Sequence, residues 1–138
     1  MAHWIIPANP KFFDVFGAFH EDETYWPMNV KVSVADTIYI YLAAPYKQIG
    51  FVCEVLDIDL ELERIYQHIQ PFIKKEVGDK GPSQLFMKLT PIATIPINKD
   101  SLLGLENMKQ NGLAGMLMGA RKLENNPSLL KYIKRSLP

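Results

Sequence analysis

The stretch "ADTIYIYLAAPYKQIGF", residues 35 to 51, constrains the fold more than any other. Side chains alternate along a strand, so Thr37, Tyr39 and Tyr41 share one face and Ile38, Ile40 and Leu42 the other. Neither face suits bulk water, so the strand must be covered on both sides, as in a small barrel. Beyond the link "APYKQ", "IGFVCEVLDI" (49–58) reads as a second strand. Its alternation puts Ile49, Phe51, Cys53 and Val55 on one side and Val52, Glu54 and Leu56 on the other. The link is short enough for an antiparallel hairpin.

Shorter signals surround this pair. "HWII" (3–6) is a strand candidate closed by Pro7. In "KFFDVFGAF" (11–19), Phe12, Phe13, Phe16 and Phe19 recur at helical intervals, giving one or two turns with an aromatic face, ended by Gly17. "HEDETYWPMN" (20–29) reads as a loop, because Pro27 cannot sit inside a regular element. "LERIYQHIQPFIKKEVG" (62–78) is ambiguous: Ile65, Ile69 and Ile73 suit a helix that Pro71 would break. "QLFMKLTPIA" (84–93) is a third clear strand, and "TIPI" (94–97) is its candidate continuation. From residue 100, Asp100 or Ser101 can cap a helix bearing Leu102, Leu105 and Met108, with Asn111-Gly112 as its stop. A last helix starts near Pro127 and buries Leu129, Leu130 and Ile133. The expectation is an α+β fold: a mixed or antiparallel pseudo-barrel of about five or six strands with short peripheral helices, one domain over 1–138.

With 138 residues, 48% of them apolar, the chain can bury a core without staples. A single cysteine, Cys53, and no recognisable leader predict a reducing, cytoplasmic location and no membrane partner. Fifteen basic and fifteen acidic residues cancel, but unevenly. Residues 1–107 hold nine Lys/Arg against fourteen Asp/Glu, and 108–138 hold six against one. A small basic surface is therefore expected around Arg121, Lys122, Lys131, Lys134 and Arg135, with ordinary solvated helix faces as the bland alternative. The acidic run "DIDLELE" (57–63) would repel a phosphate backbone.

Enzyme signatures are missing: there is no GxxxxGK[ST], GxGxxG, GxSxG or HExxH. His3, His20 and His68 have no metal-ligand spacing, and Cys53 in mid-strand reads as a small core residue. Asp57 and Asp59 read as an acidic edge. No catalytic residue, metal ligand or cofactor is expected. The aromatic residues invite a different reading. Trp26 stands in a polar, proline-bearing segment, where an indole can stack on a flat ring and donate a hydrogen bond. Asn9 and Asn29 can pair with a base edge or simply serve turns.

The block "HWIIPANPKFFD" followed by "YWPMNVKVSVADTIYIYLAAPYKQIGFVCEV" resembles the EVE domain family of the PUA-like superfamily, relatives of the YTH readers. Trp4, then Trp26 and Asn29 ahead of the V-x-V-x-D-x-(I/V)-Y-I-Y strand, then Pro45, carry the resemblance. "NGLAGMLMGARKLENNPSLLKYI" is similar to the family's closing segment. Two departures stand out. Ala35 replaces the usual glycine before the aspartate, and "LAAP" replaces a small hydroxyl residue after the aromatic strand.

The resemblance implies a barrel-mouth pocket that accepts a modified base flipped from DNA or RNA. Trp26 would be its stacking wall with Asn29 behind. Trp4 and Asn9 would border it, and Tyr41, Ala43 and Pro45 would close it from the opening strand's end. Arg121 would contact phosphate or tie the closing segment down, with Lys122, Lys131 and Lys134 as further backbone contacts. A binder of a free modified nucleoside or similar small molecule is the alternative. A nuclease or nucleotide hydrolase is a third reading, which no group of residues supports.

Overall fold

The computed structural model describes residues 1–74 and 84–138. Residues 75–78 of the ambiguous segment lie outside the described part. Six strands form one mixed sheet: β1 (His3–Ala8), β2 (Thr24–Pro27), β3 (Thr37–Leu42), β4 (Gln48–Glu61), β5 (Leu85–Thr94) and β6 (Arg121–Lys122), in the order β2-β5-β4-β3-β1-β6. Four short helices accompany it: α1 (Val15–Ala18), α2 (Leu62–Ile69), α3 (Leu105–Gln110) and α4 (Pro127–Ser136). The mixed, six-stranded α+β architecture is the expected one. β2 and β6 end the sheet without pairing to each other, so hydrogen bonding leaves it open. Among the described residues no helix is long and apolar enough to cross a membrane.

Both faces of the sheet are covered, which explains the apolarity of 37–42. Ile38, Ile40 and Leu42 pack with Ile6, Val15, Phe19, Phe51 and Cys53 on a first face. Tyr39 and Tyr41 pack with Ile5, Val52, Met108, Leu129 and Ile133 on a second. The alternation holds from Phe51 to Val55 and breaks at both ends: a register shift between Val55 and Asp57 returns Ile58 to the first face, and another acts at the start. A register shift between Ile40 and Tyr41 pairs Tyr41 with Ile49, so Gly50 is the extra residue and Ile49 turns to the second face. A Cβ at Gly50 would stand 2.5 Å from Leu42 Cδ1, so any larger residue at this bulge must displace the buried Leu42 side chain.

Several boundaries move for identifiable reasons. β1 continues through Pro7. Ala2 O and Ala8 O accept from β3-side N–H groups, so odd residues of β1 face away from β3. β6 pairs only with Trp4 and Ile5, so the missing Pro7 N–H interrupts no ladder. Trp26 lies in β2, not in a loop, because Pro27 is tolerated at the end of an outermost strand. Gly17 sits inside α1, where its N–H donates to the capping Asp14 carboxylate at 3.1 Å. Pro71 ends α2 by opening the 3-10 turn Gln70–Phe72. α3 starts at Gly104, leaving Leu102 exposed and Leu103 buried. Residues 95–98 form no strand. They are tied down by the buried Gln48, whose Nε2 donates to Pro96 O at 3.0 Å and whose Oε1 accepts from Asn98 N at 3.0 Å. α4 begins as expected: Pro127 opens it, and the Asn126 side chain accepts from Leu129 N at 3.3 Å.

Candidate functional site

The first face carries two tryptophans at different places. Trp26 reaches it from β2, the outermost strand, and stays half-buried. Its indole meets Phe13 edge-on at 5.3 Å and Phe19 at 5.6 Å between centroids. These belong to a continuous run of rings: Phe72, Phe13, Trp26, Phe19, Phe51, Phe16 and Tyr46. Tyr46 and Phe16, at 5.1 Å, link the β3–β4 turn to α1. The turn carries Ala43, half-buried, and Pro45, exposed after a cis bond. The Trp26 N–H donates to no acceptor among the described residues and is not sealed from solvent. Asn29 is exposed two residues beyond the strand. Asn9 is exposed as well, its Oδ1 accepting from Lys11 N at 3.0 Å in a turn after β1.

Trp4 sits at the other end of β1. It is five residues from Asn9, or roughly 16 Å at a strand's rise per residue. Its indole N–H donates to Asp36 Oδ2 at 3.0 Å. Asp36, only 3% exposed, also accepts from Ala2 N at 2.8 Å and Ser33 N at 2.9 Å. Burial alone would raise this carboxyl, but the Ala2, Ser33 and Trp4 N–H groups outweigh it and hold Asp36 below the ordinary aspartate range. Ala35, before it, adopts φ +77°, a left-handed conformation that glycine takes without strain. The departure noted in the sequence therefore falls where a Cβ costs most. Around Trp4 opens a groove of about 400 Å³, flanked by Lys31, Ser33, Lys122 and Glu124. Lys122 Nζ lies 5.9 Å from the Trp4 ring centre.

The sequence-derived residues thus divide. Trp26 joins the aromatic run through Phe13 and Phe19, and the 43–46 turn joins it through Tyr46 on Phe16, while Asn9 stays in the exposed turn that leads into Phe12. Trp4 and Lys122 meet in the groove. Tyr41 belongs to the second face, where burial and then the Glu106 carboxylate raise its hydroxyl pKa. Arg121 donates to Ala114 O at 2.7 Å and to Met116 O, tying the closing segment down. Lys131 and Lys134 are exposed on α4, whose buried side covers the second face, away from Trp26. Burial pushes the Cys53 thiol far above its ordinary pKa, so it is no ready nucleophile, while His68 packs on Tyr25 at the surface. Sequence reasoning missed Asp36 and Lys31. The "V-x-V-x-D" pattern contained Asp36, but its acceptor role depends on Trp4 and Ala2, more than thirty residues away.

No family model matches the sequence, and no curated protein does. Solved structures do. An ASCH protein from Zymomonas mobilis superposes with TM-score 0.68 at 10% identity, covering 99% of this chain and 96% of that one. A protein from Pseudomonas putida gives 0.65 at 13% identity, covering 97% and 98%. Human THYN1, solved in complex with 5-methylcytosine-containing DNA, gives 0.61 at 9% identity, covering 96% and 95%. This chain shares the fold of the ASCH protein and of THYN1. Identities this low establish the fold alone. Within this fold the aromatic run lies on the first face of the sheet, and the Lys31–Lys122 groove opens at the start of β1.

Proposed function

We propose that this domain binds a modified base in DNA or RNA, flipped out of its stack and held against Trp26, without transforming it. The observation that carries the reading is the state of Trp26. It is anchored by two rings, half-exposed on an edge strand, and has an indole N–H that no described protein group uses. A ring fixed on one side and open on the other can stack on a base, worth about 1–3 kcal/mol. The free N–H adds a donor for the base edge. Asn29, three residues beyond Trp26, and Asn9, exposed in the turn after β1, are the candidate further partners. Ala43 and Ala44 bring no side-chain donors, so the pocket would read shape and a methyl group more than a hydrogen-bond code. The full-length likeness to THYN1, a protein held with 5-methylcytosine DNA, supports the same reading.

Trp26→Phe tests this with little disturbance to packing. Oligonucleotides differing in one modified base would be titrated against both proteins. The wild type should prefer one modified strand. The variant should lose about tenfold in affinity for it, the worth of one hydrogen bond, while its affinity for unmodified strand stays put. Equal binding of all strands by the wild type, or undiminished preference in Trp26→Phe, would refute the proposal.

A further inference from the structure

We infer that the groove at Trp4 is a second nucleic-acid contact, which holds the phosphodiester backbone of the strand whose base is read at Trp26; this rests on the reading above. Four observations carry it. The groove is a shallow depression open to solvent, of about 400 Å³. Its two lysines, Lys31 and Lys122, form no ion pair among the described residues. Its two carboxylates are already engaged: Asp36 by three N–H donors, and Glu124 by the His3 ring at 2.7 Å and the His3 backbone N–H at 3.0 Å. Its floor is the Trp4 indole, held at its N–H edge by Asp36, with Lys122 Nζ 5.9 Å from the ring centre. An anionic ligand entering here meets the Lys31 ammonium, the Lys122 ammonium over the Trp4 ring and the exposed Ser33, and displaces no ion pair.

The groove also resolves a difficulty of charge. A neutral chain cannot grip a polyanion over a broad surface, and the α4 lysines face away from Trp26. Lys31 and Lys122 are the cations that bracket a groove on the Trp4 side of the same sheet. A strand whose base is read at Trp26 must also be long enough to reach the Trp4 end of β1.

Lys31→Glu/Lys122→Glu, made in the full chain, provides the test. Wild type, this double variant and Trp26→Phe would each be titrated with modified and unmodified DNA oligonucleotides across a salt series and a length series. The double variant should lose tenfold or more in affinity for both strands, and its salt slope should fall by about two contacts' worth. Its preference for the modified strand should survive. The wild type should lose the same increment once the strand is trimmed too short to span from Trp26 to the groove. An unchanged thermal midpoint would show that the fold is intact; if it drops, Lys31→Gln/Lys122→Gln replaces the variant. Unchanged affinity and salt slope would overturn the groove while leaving the Trp26 reading in place. Salt-dependent binding lost in the double variant, with no base preference in the wild type, would sustain the groove and refute the Trp26 reading. No binding of any strand would overturn both.

Discussion

Trp4 and Trp26 lie on the same sheet face, both half-buried, and the protein holds them by different means. Trp4 is fixed through its polar edge: its N–H is committed to a buried carboxylate that also gathers two backbone donors. Trp26 is fixed through its apolar surface, by Phe13 and Phe19, and its N–H is left over. The first arrangement serves the fold, because Asp36 ties the start of β1 to the turn that begins β3. The second leaves a polar group for something that is not protein. The same residue type thus takes a structural role at Trp4 and, in the proposed reading, a recognition role at Trp26, and hydrogen-bond accounting separates the two.

The largest expected effect comes from removing the partner that makes Trp4 structural. Asp36→Ala would leave three donors without their acceptor and a void beside the indole. A cost of about 3 kcal/mol or more is expected in chemical denaturation. Trp26→Ala would remove a half-buried ring from the edge of the core, which should cost about 2 kcal/mol, less than a fully buried tryptophan. Binding should follow the opposite ranking, with Trp26→Ala losing modified-base affinity outright. If Trp26→Ala proves the more destabilising of the two, the division of roles drawn here is wrong.

The next effect is the acid response of the same carboxylate. Because the folded state holds Asp36 below its unfolded value, its contribution is complete well above an unfolded pKa of about 4. It is lost as pH falls through the lower folded value. Glu124 acts in the same direction, since its bonds from His3 outweigh the opposing effect of burial. Stability should therefore decline with acid below about pH 5. Asp36→Asn should be less stable at neutral pH and should show a shallower decline, so that the two curves approach each other at low pH. Parallel curves would remove Asp36 from this role.

How much of this was written in the sequence depends on the range of the interactions. The two-sided burial of 37–42 was legible, because alternation is a local property and each face had to find cover. So was α4 from about Pro127 on; its cap, the Asn126 side chain, was not singled out. The side that Ile49 takes was not. It turns on the Gly50 bulge, which exists because β3 and β4 shift register, and alternation within β4 alone carries no sign of that. β6 has two residues and no local signature; it exists because Trp4 and Ile5 pair with it across the chain. The site was legible as a set of residue types and less so as a set of positions. Trp26 stood out by its polar, proline-bearing surroundings, but its strand, its ring partners and its unused N–H come from tertiary packing. Lys131 and Lys134 looked like neighbours of Lys122 by sequence, and a helix on the other face separates them.

The smallest expected effect lies at the turn that holds the Trp4 end together, and it sharpens the comparison most finely. Ala35 is one residue before Asp36 and sits at φ +77°. An L residue with a Cβ pays roughly 1 kcal/mol in that region, whereas glycine does not. Glycine also gains flexibility in the unfolded chain, which takes back part of the benefit. Ala35→Gly should therefore raise stability by about 0.5 kcal/mol, read as a small rise in denaturation midpoint with unchanged slope. Because the turn positions Asp36 and lines the groove, the variant should leave base preference at Trp26 untouched. A stabilised protein with altered modified-base preference would mean that the two ends of the face are coupled. A destabilised one would mean that the Ala35 methyl makes a contact worth more than the strain it carries.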